Sequence, residues 1–104
     1  MISYDLHIHS CLSPCADNDM TPNNIVNMAL IKGLELIAIT DHNTTLNAKV
    51  GSIVAQDKIR YLYGVEIESC EAVHLLAYFK DINDLEAIDR YLETIRDKGR
   101  NRPE

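Results

Sequence analysis

Tryptophan is absent from these 104 residues and phenylalanine occurs once, so the aromatic content rests on five tyrosines. Apolar residues still make up 46% of the chain, which predicts an aliphatic core sized for one small domain over residues 1–104. Long hydrophobic runs are missing too. The longest, such as Leu36 to Ile39, cannot cross a bilayer, and the opening MISYDLHIHS has no basic segment leading into an apolar stretch. Neither membrane insertion nor export is therefore expected, which leaves the cytoplasm as the default. Positive charge is scarce, with 10 Lys and Arg against 16 Asp and Glu and a formal charge of −6. Without a basic stripe, no strand of nucleic acid is expected as a partner, and a phosphorylated ligand would need bound cations. Cysteine is limited to Cys11, Cys15 and Cys70. An odd set without an export signal argues against a disulfide framework and for thiols that are buried or bind metal.

What is present has clear punctuation and no internal repeat. A strand is predicted over Tyr4 to His9, followed by the turn-rich loop SCLSPCADNDM. Thr21 as N-cap, Pro22 at the first helical position, the stripe Ile25, Met28 and Ala29, and Gly33 as terminator define a helix. The apolar run ELIAIT, residues 35–40, reads as a parallel strand covered on both faces. A second helix is predicted from Leu46 to about Gln56, weakened by Gly51, and a third strand from Ile59 through IRYLYGVEIES, with Gly64 permitting a bend or close approach. AVHLLAYF predicts a fourth strand. Leu85, Ile88, Leu92 and Ile95 then line one side of an amphipathic helix that Gly99 should close. The order β-α-β-α-β-β-α implies right-handed crossovers and a mainly parallel sheet, whose ligands belong beyond the carboxyl ends of the strands.

Within the first strand, regular alternation projects Asp5, His7 and His9 to one face and Leu6 and Ile8 to the other. His-x-His on a strand offers two imidazole nitrogens to one ion. All four histidines of the chain lie late in a strand or just after one: His7 and His9 on the first, His42 after the second, His74 on the fourth, with Glu66 late in the third. Metal coordination would satisfy this polar cluster together, where an unpaired buried group costs roughly 1–3 kcal/mol. Asp5 is read either as a solvated strand acid or as a group orienting a histidine. Ser10 and Ser13 are read as loop hydrogen-bonders, and Asp41 and Asn43 as steering ligands or, more simply, as capping the following helix.

Asp5-Leu6-His7-Ile8-His9-Ser10, Thr40-Asp41-His42-Asn43, and Gly64-Val65-Glu66 followed by Val73-His74-Leu75 resemble, in order, three motifs of the PHP (polymerase and histidinol phosphatase) superfamily of metal-dependent phosphoesterases. The resemblance implies an α/β fold in which β-α-β-α-β-β-α forms a partial barrel, the first half of a distorted (β/α)7 barrel. It implies one to three divalent ions (Zn²⁺, Mn²⁺ or Fe²⁺) and hydrolysis of phosphate esters by metal-activated water, with no covalent nucleophile. Carried over, His7 and His9 would bind a first ion, Glu66 would bridge first and second, His74 would join the second, and His42 the third. Cys15 stands six residues after His9, where some members carry a histidine for the third ion. Asp5 and Asp41 would support these ligands.

The family's later motifs, a histidine before a proline and an Asp-x-His pair, are missing, since no histidine follows His74. The resemblance therefore covers the N-terminal half of the domain. Three expectations follow: a piece of a longer protein, a homo-oligomer that completes the half-barrel, or a degenerate member binding metal weakly. The functional expectation is a phosphatase or phosphodiesterase acting on a small phosphorylated metabolite or nucleotide. The alternative is a non-catalytic metal-binding or assembly module.

Overall fold

A computed structural model describes residues 2–13, 16, 18–68 and 74–100, the last six by backbone alone. Strand β1 (Tyr4–Ile8) leads to helix α1 (Pro22–Ile31), β2 (Leu36–Ile39), α2 (Leu46–Ala55), β3 (Arg60–Glu68), β4 (His74–Phe79) and α3 (Ile82–Arg100). The α/β element order expected from periodicity is the order observed. Thr21 caps α1 by accepting from the Asn24 amide at 3.3 Å, and the turn ends at Gly33 with φ 74°. Helix α3 runs past Gly99, because glycine in a helix costs only about 1 kcal/mol and does not forbid helical dihedrals.

The strands form one sheet in the order β1-β2-β3-β4, parallel between β1, β2 and β3 and antiparallel between β3 and β4. One face carries the core, where Ile25, Val26 and Ala29 of α1 and Ala55 of α2 pack on Ile37 and Ile39. Gly51 is no weakness in α2. A Cβ there would lie 2.5 Å from the Tyr61 hydroxyl and 2.8 Å from Ile39 Cδ1, so glycine lets the helix settle on the sheet. The Tyr61 hydroxyl donates to the Ala48 carbonyl at 2.7 Å, and burial pushes its pKa up. Leu85 and Leu92 of α3 are fully buried, and its Asp89 accepts from Thr45 and Lys49 of the α2 region.

The opposite face is curved. The Tyr78 hydroxyl on β4 donates to the Leu6 carbonyl on β1, at the other edge of the sheet. Strands spaced by roughly 4.8 Å would put the edges of a flat four-stranded sheet about 14 Å apart, beyond the reach of tyrosine. The sheet must curl toward closure, as in part of a barrel. Gly64 assists, since a Cβ there would stand 2.6 Å from Thr40 Cγ2 and 3.0 Å from the Ile39 carbonyl oxygen.

Strand β1 departs from regular alternation. Asp5 pairs with Ile37 and Ile8 with Ile39, so two residues of β1 oppose the single Ala38, a bulge-like irregularity. Paired residues share a face, which puts Asp5 and Ile8 on the helix side, bordering a cavity with Met20, Ile25 and Met28. The expectation that Asp5 shares a face with His7 and His9 is thereby corrected: the extra residue re-aims the strand between them.

Candidate metal centre

Strand β3 supplies the centre of the site. Glu66 is 5% exposed, and its carboxylate meets four imidazoles from three other segments. Its Oε1 lies 2.7 Å from His7 Nε2 and 2.9 Å from His9 Nε2; its Oε2 lies 3.0 Å from His42 Nε2 and 2.5 Å from His74 Nδ1. Backbone pairing explains the convergence. His42 forms an isolated parallel bridge to Glu66, with the Glu66 amide donating to the Asp41 carbonyl and the Asn43 amide to the Glu66 carbonyl, both at 2.9 Å. His74 is the cross-strand partner of Glu68 in the β3–β4 ladder. His7 and His9 rise from the end of β1 after its irregularity has turned them to the helix-free side.

The side chains form a bowl. Glu66 sits at its floor with 6% side-chain exposure, His9 and His42 line the wall at 19% and 21%, and His7 and His74 reach the rim at 52% and 48%. Burial alone would push the Glu66 carboxyl up. Hydrogen bonds from His74, His9 and His7, with the charge of His42, outweigh it and bring Glu66 down to about 2. The Glu66 hydrogen bond in turn pushes His74 up.

Among the described residues two groups of ligand-type atoms result, His7, His9 and Glu66, and His42, Glu68 and His74, each with its atoms within 4.8 Å of one another. The Glu66 carboxylate joins them, one oxygen toward each. This donor set fits divalent cations. Nε2 of His7 and Nε2 of His9 are 3.2 Å apart while both face Glu66 Oε1, so any lone pairs presented there repel unless a proton or cation lies between. Ligands about 2.0–2.1 Å from a tetrahedral ion stand about 3.3 Å from each other. The separations of 2.7 to 3.2 Å therefore need widen only slightly to admit one.

Of the residues singled out from the sequence, His7, His9, His42, Glu66 and His74 come together here. The resemblance gives His42 to a third ion, whereas here it lies on the His74 side of Glu66. Cys15 and Val73 lie outside the described residues. Asp5 stays behind on the helix face but accepts from the His7 amide at 3.1 Å, a contact with backbone and not with an imidazole. Neither Asp41 nor Asn43 caps α2, whose N-cap is Thr45. Asn43, at φ 52°, instead pairs its side chain with the Glu68 backbone, accepting from its amide at 2.8 Å and donating to its carbonyl at 3.1 Å. Glu68 was not among the expected ligands. The alternation Glu66-Ile67-Glu68 was the signal for it, since it places both carboxylates on one face of β3.

A curved α/β sheet with imidazoles and carboxylates gathered at the carboxyl ends of its parallel strands defines a metal-binding domain of the partial-barrel type. The profile of the PHP domain family matches residues 5–100, and the chain belongs to that family. A 3′,5′-nucleoside bisphosphate phosphatase of Chromobacterium violaceum is 35% identical over 68 residues, which are 64% of this chain and 23% of that protein. A 5′-3′ exoribonuclease of Haemophilus influenzae is 34% identical over 67 residues, with the same shares. Among solved structures, a Chromobacterium violaceum amidohydrolase holding sulfate and no metal superposes with a TM-score of 0.72 at 27% identity, covering 91% of this chain and 34% of that one. A candidate metal-dependent phosphoesterase of Bifidobacterium adolescentis gives 0.63 at 31% identity, covering 74% and 27%. The chain thus spans about a quarter of the length of the two curated relatives.

Proposed function

We propose that this chain carries the metal-binding half of a phosphoesterase site that hydrolyses a small phosphorylated metabolite or a nucleotide. The observation that carries the reading is the meeting of His7, His9, His42 and His74 on the two oxygens of one buried carboxylate, Glu66. His7, His9 and Glu66 would hold one divalent ion, and His42, His74 and Glu68, with the second oxygen of Glu66, another. Such ions supply Lewis-acid stabilisation of a phosphate and a water acidic enough to attack phosphorus at neutral pH. The chain's own residues do the rest: Glu66 fixes the separation of the two groups, and the half-exposed His7 and His74 leave the mouth open to a ligand. Zn²⁺, Mn²⁺ and Fe²⁺ all suit imidazole and carboxylate donors. Ser10 and Ser13 are engaged with Asp41, in agreement with a reaction that needs no serine nucleophile.

The named relatives support the phosphate-ester class, since both a bisphosphate phosphatase and a nuclease act on phosphate esters. The net charge of −6 favours the small substrate over a nucleic acid strand. Among the described residues the first group offers three ligand residues, one short of the four usual for a closed zinc site, while the second reaches four only by sharing Glu66. Remaining donors would come from water, from further sequence or from a second copy closing the half-barrel. A second reading, a metal-binding or assembly module without turnover, draws on that same shortfall. Hydrolysis of p-nitrophenyl phosphate with added Mn²⁺ or Zn²⁺ separates the two: metal-dependent turnover that vanishes in Glu66→Gln supports the phosphoesterase, and metal binding without turnover supports the module.

A further inference from the structure

Asp41 is 1% exposed and, among the described residues, its carboxylate is held by hydroxyl and amide donors and not by a cation. Oδ1 accepts from the Ser10 amide at 2.6 Å and from the Ser13 hydroxyl at 2.7 Å, and Oδ2 accepts from the Ser10 hydroxyl. A buried, hydrogen-bonded anion is costly to leave unmatched, so these bonds hold the loop after β1 firmly. The last ladder residue of β1 is Ile8, whose carbonyl accepts from the Thr40 amide at 2.7 Å. His9 comes next, beyond the ladder. Ser10 follows it, held by Asp41 at both its amide and its hydroxyl, with Asn47 also donating to that hydroxyl at 3.0 Å and the Ser13 amide to the Ser10 carbonyl at 2.9 Å.

His42 stands differently, although it is adjacent to Asp41 in sequence. Main-chain bonds to Glu66 from the residues on either side of it hold its backbone in place. Among the described residues, its hydrogen bond to the Asp41 network is the 3.3 Å contact from its amide to the Ser13 hydroxyl.

We infer that Asp41 is a positioning residue for His9, acting through Ser10, and so governs the ion held by His7, His9 and Glu66 while leaving the His42, Glu68 and His74 group nearly untouched. The inference rests on the metal-site reading above. Asn at position 41 keeps the volume but offers one acceptor oxygen, and its amide must face a hydroxyl, which loosens Ser10 and with it His9.

The test uses the full chain titrated with Co²⁺, followed by visible absorption and equilibrium affinity. In His74→Ala, which leaves the first group, adding Asp41→Asn should weaken Co²⁺ binding roughly 10- to 100-fold. In His7→Ala, which leaves the second group, the same addition should change affinity by less than about threefold. Ser10→Ala, which removes only the hydroxyl arm, should act in the same direction to a smaller extent and serves if the Asn variant does not fold. Equal losses in both backgrounds would reveal a merely structural role and overturn the inference, as would no loss in either. Absence of any Co²⁺ binding by the unaltered chain overturns the metal reading itself, a result distinct from the others.

Discussion

The two faces of the sheet answer to different physics. On the helix side, Ile37, Ile39, Val65 and the α1 residues exclude water, and any aliphatic arrangement of the right volume would serve. On the other side, at the strand ends, Glu66 and four histidines have exact partners and little freedom. Strand β3 contributes to both within two residues, Val65 to the core and Glu66 to the site. The core holds the fold, the rim gathers the candidate metal ligands, and mutations should separate the two.

That separation can be broken in graded steps. Glu66→Gln should have the largest effect, weakening ions at both groups by more than the roughly 100-fold expected for an outer partner. Calorimetric titration with Zn²⁺ checks it. Leu92→Ala should cost about 2–5 kcal/mol by emptying a fully buried site between α3 and the sheet, with metal affinity of the remaining folded protein preserved. Urea unfolding followed by circular dichroism measures that cost. Gly64→Ala, which drives a Cβ against Thr40, should cost about 1–3 kcal/mol and falls between the two classes because it also shifts the strand bearing Glu66.

The smallest effect is on pH dependence. Because Glu66 in the folded chain titrates near 2 against an ordinary 4.5, its contribution to metal-free stability is present above 4.5 and drains away as pH falls toward 2. His74 shifts the other way, so its contribution is complete below 6.5 and is lost as pH rises through its elevated folded value. Melting curves of metal-free protein should therefore decline toward both ends of that range, and Glu66→Gln should flatten the decline on both sides.

The fold was legible because hydrophobic periodicity and helix punctuation are strong: Thr21-Pro22, the ELIAIT run and the Leu85, Ile88, Leu92 spacing all led to the observed elements. His7, His9, His42 and Glu66 were legible because they fall at or just after the carboxyl ends of β1, β2 and β3, whereas His74, expected late in its strand, opens β4 and reaches the same rim because β4 runs antiparallel to β3. Asp5 was misplaced since an irregularity in strand pairing leaves no mark in alternation. The Asp41 clamp was invisible for another reason. It joins residues 31 apart in sequence, and only the closure of two loops brings Ser10 to that carboxylate. Glu68 lay in plain alternation with Glu66, but nothing in the sequence shows that β4 would carry His74 beside it.

Native mass spectrometry of the chain titrated with Zn²⁺, beside the same titration of Glu66→Gln, tests the sharing of one carboxylate between two histidine groups most directly. The expected result is one ion for each of the two groups in the unaltered chain and retention of neither in the variant. Equal metal loading of both proteins would contradict it.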